Sequence, residues 1–346
     1  DGSIPNPYTV AHSAFAHGAD NTQNLVTDTA YNARGLVREQ TDVLGNVTLY
    51  GYDDADRLVK TVQSASQPAY NNNYTGIAPD PSLANYSANG SSDQDVVTTQ
   101  AYDAAGNLVE AVDALGSVTY TVYDALNRPI KTVRSAKDLA TVSLHDGDLG
   151  YDAENDPRSN SYAPSMDPDR DHIETTDYDA LGRVIRTRRL LENRPDAIWD
   201  TTLYGYDPLG RQVKVIRSAS QPDYGIDADL DLSDYIPTIE ADQDIIQRTL
   251  YDVQGRVRAS EDTLGVKTRV VYDGLNRQVK SITNFTEQGE DPALWVWNST
   301  NNRWQKSSGT AIAHGEKNDQ NIVTESVYDS DGRLLDVRDV LGRVSR

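Results

Sequence analysis

Short runs of apolar or alternating residues recur along the chain, each bounded by a turn of similar composition. Residues 107–112 and 118–122, for example, read NLVEAV and VTYTV. Runs of this length, rich in Val, Thr and Tyr, predict half-buried β-strands. The turns between them carry Gly, Asn or Asp, which are the residues that tolerate a positive φ. The pattern therefore predicts β-hairpins.

One turn sequence, Tyr-Asp or Tyr-Asn with Gly, Asn or Asp four residues after the Tyr, recurs in nine predicted hairpins. We expect a type I turn that ends in a left-handed residue, with a bulge beside it. The Asp can accept hydrogen bonds from backbone N–H groups inside the turn, and an Arg often follows the Gly. The structural residues of the repeat are Tyr31, Gly35, Tyr52, Tyr102, Gly106, Tyr123, Asn127, Tyr178, Gly182, Tyr206, Gly210, Tyr251, Gly255, Tyr272, Asn276, Tyr328 and Gly332.

A second motif, Asp-x-Leu-Gly, follows four of these turns and predicts the opposite turn of the meander. It occupies 42–45, 113–116, 262–265 and 339–342, whereas a longer loop at 191–196 replaces it once. Hairpins thus come in pairs, separated by polar insertions at about 63–92, 135–171, 218–241 and 283–317. We expect one continuous array over 1–346, with units at about 21–92, 93–171, 172–241, 242–317 and a partial 318–346. Its insertions should project from one face or rim.

The beginning of the chain resembles its end. Residues 14–27 read AFAHGADNTQNLVT and residues 311–324 read AIAHGEKNDQNIVT, so that the two segments match at a fixed offset. We expect a slice of a longer array, or a chain that continues into another copy of itself.

Composition narrows the range of functions. The 346 residues carry a formal net charge of −21, with 53 acidic and 32 basic side chains, which argues against binding nucleic acid or anionic lipid. No run approaches the length of apolar sequence that spans a bilayer, so we expect no membrane insertion. The absence of Cys excludes disulfides and thiolate metal sites. The chain has 20 Tyr but only two Phe, which favours aromatic rings that pack on one side and expose the hydroxyl group to water.

The repeated Tyr-Asp-x-x-Gly-Arg motif, followed by Leu-Gly and another Tyr-Asp, resembles the Rhs or YD repeat family. That family includes bacterial polymorphic toxins, toxin-complex components and animal teneurins. The resemblance implies an all-β array of antiparallel hairpins that forms a twisted strip, solenoid or tube wall. In toxins such strips form a shell around a cytotoxic segment. The long insertions after each pair depart from the family pattern. The self-cleavage element of the family contains Asp-Pro-x-Gly. Asp207-Pro208-Leu209-Gly210 has this sequence but belongs to an ordinary Tyr-Asp hairpin turn.

No hydrolase or phosphate-binding motif is present in the sequence, and we expect neither an enzyme nor a required cofactor. Calcium is one alternative, because two acidic runs have the alternation of calcium-binding loops. Neither run has the Gly and Glu of an EF-hand. Their candidate ligands are Asp167, Asp169, Asp171, Asp227, Asp229 and Asp231.

A further hairpin is predicted inside the fourth insertion, where Trp295, Trp297 and Trp304 stand close together in sequence. Exposed, these rings can stack on sugars; buried, they form a small core for the insertion, which is the interpretation we favour.

The sequence therefore predicts a structural protein. Because exposed strand edges favour β-pairing and open-ended contacts make fibres, we expect self-association into an extracellular or cell-surface fibre or tubular assembly. The alternatives are a wall segment of an Rhs toxin-encapsulating shell and a glycan-binding or adhesion module.

Overall fold

A computed structural model describes residues 27–67, 82–88, 94–136, 171–192, 198–224, 231–238, 240, 242–286, 292–300, 303–306 and 319–345. The chain divides into two units, residues 1–171 and 172–346. Each unit is an antiparallel meander in which every strand pairs with its neighbour along the sheet. The predicted all-β array of hairpins is confirmed.

The described part of the first unit contains eight strands. They are β1 (Asp28–Tyr31), β2 (Val37–Thr41), β3 (Val47–Tyr52), β4 (Leu58–Gln63), β5 (Val96–Tyr102), β6 (Leu108–Val112), β7 (Val118–Tyr123) and β8 (Pro129–Ala136).

The described residues of the second unit form eleven strands in one sheet and two in a separate hairpin. The sheet strands are β9 (His172–Tyr178), β10 (Val184–Glu192), β11 (Ile198–Tyr206), β12 (Gln212–Arg217), β13 (Ile245–Tyr251), β14 (Val257–Glu261), β15 (Lys267–Tyr272), β16 (Gln278–Thr283), β19 (Ile322–Tyr328), β20 (Leu334–Arg338) and β21 (Val344–Ser345). The separate hairpin is β17 (Trp295–Asn298) with β18 (Arg303–Lys306), preceded by a single 3-10 turn at Pro292–Leu294. The loop predicted at 191–196 is shorter than expected, because β10 continues to Glu192, which pairs with Ile198.

Every Tyr-Asp hairpin has the predicted turn. In all nine, the fourth residue after Tyr has a positive φ, as in Gly106 at 92° and Asn127 at 60°. The register shifts beside each Tyr; Gly51 pairs with Lys60 whereas Tyr52 pairs with Leu58. One extra residue on the second strand is the expected bulge. The Asp-x-Leu-Gly motifs form the opposite turns, each with its Gly at positive φ.

The described parts of the insertions differ from the expectation that they project away from the sheet. In the first unit, Leu83 and Tyr86 of the insertion pack on Leu49 and Val62 of β3 and β4, and all four are buried. The second unit contains two clusters built in the same way. Their buried members are Leu203, Ile216, Leu232, Tyr235 and Ile246 in one, and Ile282, Trp295, Trp304 and Val323 in the other. The insertions therefore supply half of a thin core, since one sheet face alone cannot bury its apolar side chains.

Two glycines let the insertion backbone approach the sheet. A Cβ on Gly51 would lie 2.3 Å from the carbonyl oxygen of Ser82, and a Cβ on Gly205 would lie 2.6 Å from that of Asp231. Any other residue would hold the insertion away from the strand, so these positions fix where Leu83 and Leu232 enter the core.

Candidate functional site: tyrosine bridges and insertion latches

The Asp of each Tyr-Asp turn holds the turn closed. Asp53 accepts hydrogen bonds from the backbone N–H groups of Ala55 and Arg57, both at 2.9 Å, and from Nε of Arg57 at 2.8 Å. The backbone N–H of Arg57 lowers the pKa of Asp53, and the Arg57 guanidinium adds to the effect. The same contacts recur at Asp124, where the side chain of Arg128 is the main cause that lowers the pKa. The predicted interactions of Asp and Arg within the turn are confirmed.

The Tyr of seven of the nine turns joins its hairpin to the preceding one. The hydroxyl of Tyr206 donates to the carbonyl oxygen of Val184 at 2.7 Å, and Val184 is the second residue after the preceding turn Gly. We call this contact a tyrosine bridge. Seven tyrosines form it, always to the same position of the preceding hairpin: Tyr52, Tyr102, Tyr123, Tyr206, Tyr251, Tyr272 and Tyr328.

An Arg from the preceding turn covers the ring of the bridging Tyr. The guanidinium carbon of Arg183 lies 4.5 Å from the ring centroid of Tyr206, and that of Arg256 lies 4.5 Å from the ring of Tyr272. Arg57, Arg211 and Arg277 lie over Tyr102, Tyr251 and Tyr328 at similar distances. One Arg thus neutralises its own turn Asp and makes a cation–π contact with the next hairpin, so that turn closure and hairpin docking share a side chain.

In two of the insertions, a buried carboxylate joins the two ends of the insertion by hydrogen bonds. Asp244, 1% exposed, accepts hydrogen bonds from the N–H and hydroxyl of Ser220 at 2.9 and 2.8 Å. It also accepts from the N–H and hydroxyl of Thr238 at 2.7 and 3.0 Å, and from the hydroxyl of Tyr235. Burial raises the pKa of Asp244, but the hydrogen bonds from Tyr235, Ser220 and Thr238 outweigh it and hold the pKa at about 2. We call this cluster an insertion latch.

The latch recurs at two further insertions, the first and the fourth, with small changes. Asp95 accepts from the N–H and hydroxyl of Ser66 at 2.8 and 2.6 Å, and from the hydroxyl of Tyr86. In the last insertion Asn321 takes the place of the Asp; it accepts from the N–H of Thr286 at 3.0 Å and donates to its hydroxyl at 2.9 Å. Each central residue directly precedes a strand and has φ close to 53°.

A lysine beneath each latch binds the insertion backbone. Lys60 donates to the carbonyl oxygens of Leu83 and Tyr86 at 3.0 and 3.2 Å. The buried Lys214 donates to the carbonyl oxygen of Leu232, and Lys280 donates to those of Ala293 and Trp295. These ammonium groups give the insertion carbonyls a charged donor; those of Leu83 and Leu232 also accept from the N–H groups of Tyr86 and Tyr235 at 3.1 and 3.4 Å.

The predicted Trp hairpin forms β17 and β18, and its rings lie inside the protein. Trp295 and Trp304 are fully buried, which leaves neither ring able to stack on a sugar. Trp295 stacks on Phe285 with ring centroids 5.6 Å apart. Trp297 is half-buried, lies edge-on to Trp304 and touches the turn at Gly342. The three rings form the core of their insertion.

Four of the six candidate calcium ligands, Asp167, Asp169, Asp227 and Asp229, lie outside the described residues. Asp171 is buried, and Asp231 accepts a hydrogen bond from the N–H of Ser233 at 2.9 Å. Across the described part of the chain, no three His, Asp or Glu side chains are grouped to hold a metal ion. Calcium binding stays a prediction, which titration calorimetry tests.

Sequence reasoning missed the latches, although signals for them exist. Ser-Ala-Ser-Gln-Pro begins two insertions, at 64–68 and 218–222, and supplies the latch hydroxyls of Ser66 and Ser220. Tyr86 and Tyr235 each stand nine residues before their latch Asp. The lysines also follow a rule, since Lys60, Lys214 and Lys280 each stand eight residues after the Tyr of the hairpin that precedes the insertion.

Comparison with known proteins identifies the repeat. The RHS Repeat family model matches residues 31–67 and 102–140, which include the four hairpins of the first unit. Two segments of the first unit are therefore similar to the Rhs repeat. No curated protein matches it.

Solved structures that resemble the chain include a crystal structure of TcdB2-TccC3-TEV, with 15% identity and a TM-score of 0.32. They also include the Photorhabdus luminescens Tc holotoxin pore carrying the TccC3 mutation D651A, with 15% identity and a TM-score of 0.28. The matches cover 92% of this chain but only 16% and 17% of those chains. The described residues include no helix that could cross a lipid bilayer.

Both units carry the Tyr-Asp hairpin in the same form. Tyr102 of the first unit and Tyr272 of the second each bridge to the preceding hairpin and each lie beneath an Arg. The hairpin repeat of this chain is therefore defined physically by its Tyr, Asp and Arg, which close one turn and attach it to the next.

Proposed function

We propose that this chain is a non-enzymatic wall segment of an extracellular assembly built from Rhs repeats. The observation that carries the proposal is the tyrosine bridge, which recurs at seven hairpin junctions with the same donor and acceptor positions. A sheet joined by one repeated contact grows by adding hairpins, and each repeat depends mainly on its neighbours. Such a molecule is suited to forming an extended wall, whose length increases with the number of hairpins.

The insertions support a wall because they thicken the sheet. A single antiparallel sheet has an apolar face that must be buried against other residues. Here the insertion residues Leu83, Leu232 and Trp295 pack on that face. The polar latches join the two ends of each of these insertions by hydrogen bonds, at the points where the insertion leaves and rejoins the sheet. The result is a layered structure that needs no separate partner over these clusters.

The assembly takes one of two forms, a shell around a cargo or an extended fibre formed by self-association. The net charge of −21 favours a solvated surface in either form and disfavours nucleic acid as the partner. Negative-stain electron microscopy of the full-length gene product tests the proposal. We expect either hollow particles or filaments with a continuous wall. Dispersed particles without a wall at micromolar concentration would contradict it.

A further inference from the structure

Four consecutive Tyr-Asp turns of the second unit carry a large apolar side chain at their tip. These side chains are Leu181, Leu209, Val253 and Leu275, in the turns that follow β9, β11, β13 and β15. Each of them is between 71% and 97% exposed. The turn itself does not require them, because the first unit closes the same turn with Arg34, Ala55 and Ala105 at the equivalent position.

The four tips form a row along one rim of the sheet. Strand β10 pairs with β11, β12 with β13 and β14 with β15, so the four hairpins are direct neighbours. Two strands separate each tip from the next, which places the tips about 10 Å apart. The gap between the first two tips is spanned by Arg183, which lies over the Tyr206 ring and reaches the turn at Gly210. The rim therefore alternates projecting apolar side chains with shallow grooves.

This rim is electrically neutral, although the chain has a net charge of −21. Each of the four turns holds one Asp, which pairs with the Arg of the same turn at 2.6 or 2.7 Å. Residues 218–244, in contrast, contain eight acidic and no basic side chains. Because successive strands run in opposite directions, that insertion leaves the sheet from the opposite rim. Two copies of this chain therefore repel each other at their insertions but not at this rim.

We propose that this row of tips is the contact surface for a second copy of this chain. The two copies are related by a two-fold axis, and the tips of each fit into the grooves of the other. A second copy is the partner that matches the spacing of all four tips at once, and the contact is isologous because both copies use the same surface. This inference rests on the proposed wall function, since it names the rim along which two sheets join into a wider wall.

The size of the contact sets its strength. Four apolar side chains from each copy form an interface at the small end of the range for specific complexes. We therefore expect a dimer with a dissociation constant in the micromolar range. In the dilute monomer the tips remain exposed to solvent.

Sedimentation velocity of the full chain over a dilution series tests the contact. The parent should change from monomer to dimer as its concentration rises through the micromolar range. A chain carrying both Leu209→Glu and Val253→Glu places four carboxylates at the centre of the contact and should dimerise at least about tenfold more weakly. The control carries Leu115→Glu and Leu264→Glu, which alter still more exposed tips on Asp-x-Leu-Gly turns and add the same charge. The control should dimerise like the parent.

A parent that stays monomeric throughout the series, or a control weakened as much as the Leu209→Glu and Val253→Glu chain, would overturn the contact. Negative-stain microscopy separates this failure from failure of the wall. Walls of unchanged width in the Leu209→Glu and Val253→Glu chain would show that the wall stands and the rim contact is wrong. A parent that dimerises through the rim but forms no wall would contradict the wall and leave the contact in place.

Discussion

The hydroxyl of Tyr206 donates a hydrogen bond to the carbonyl oxygen of Val184 at 2.7 Å, which fixes one Tyr-Asp hairpin on the one before it. The contact joins β11 to the start of β10, beyond the last pair of the sheet ladder, where Tyr206 turns away into its own hairpin. The bridge therefore holds the ends of adjacent hairpins together where backbone pairing stops.

We predict that Tyr206→Phe lowers the free energy of unfolding by about 1 kcal/mol, because the ring stays and only the hydroxyl bond is lost. Chemical denaturation measures the change. Tyr31→Phe is the matched control, since Tyr31 is exposed and forms no bridge within the described part of the chain, and it should leave the transition unchanged. Equal effects at both positions would show that the bridge does not stabilise the array.

Gly205→Ala should destabilise the second unit by about 1–3 kcal/mol, because the new methyl group meets the Asp231 carbonyl oxygen and forces the insertion away from β11. Gly274→Ala is the control, since a Cβ there has no neighbour within 4 Å. Thermal unfolding of both variants measures the difference. A Gly205→Ala chain as stable as the Gly274→Ala chain would mean that the insertion does not press on the strand.

Lys214→Met removes the ammonium that binds the Leu232 carbonyl and keeps most of the apolar stem. We expect a loss of about 1–3 kcal/mol, since the Leu232 carbonyl loses its charged donor and keeps only the N–H of Tyr235 at 3.4 Å. Lys267→Met removes an exposed lysine 3.7 Å from Glu261 and should cost well under 1 kcal/mol. Similar losses for the two variants in chemical denaturation would contradict a special role for the lysine beneath the latch.

Acid should weaken the latch of Asp244. Its pKa in the folded protein, about 2, lies below the value of about 3.9 for an unfolded Asp. The stabilisation is therefore fully present above pH 4 and is lost as the pH falls from about 4 to 2. Asp244→Asn should be less stable than the parent at pH 6, and the gap should narrow steadily over that window. A gap independent of pH would show that the carboxylate charge does not hold the latch.

The local repeat could be predicted from the sequence because its determinants are a few residues apart. A Gly or Asn that must adopt a positive φ, an Asp that caps its own turn and a Tyr at a fixed distance are visible in any one copy. The partner of the Tyr was not visible, since Val184 and Tyr206 stand 22 residues apart and meet only through strand pairing.

The latches escaped prediction for a different reason. Ser220 and Asp244 lie at opposite ends of a polar insertion, and a polar composition suggests a projecting loop. Their contact depends on Leu232 entering the core between them, which a single apolar residue in a polar segment does not reveal. The buried Trp295 and Trp304 show the same limit, because composition alone left both a sugar-binding and a core role open.

The central claim is that the insertions are part of the wall, with their apolar residues buried against the sheet. Thiol accessibility tests it most directly in this Cys-free chain. In Leu232→Cys the thiol lies in the insertion core, whereas in Leu209→Cys it lies on an exposed turn of the same unit. We predict that a thiol-reactive dye labels the Leu209→Cys chain at once and the Leu232→Cys chain only after denaturation. Equally fast labelling of both native chains would contradict the account.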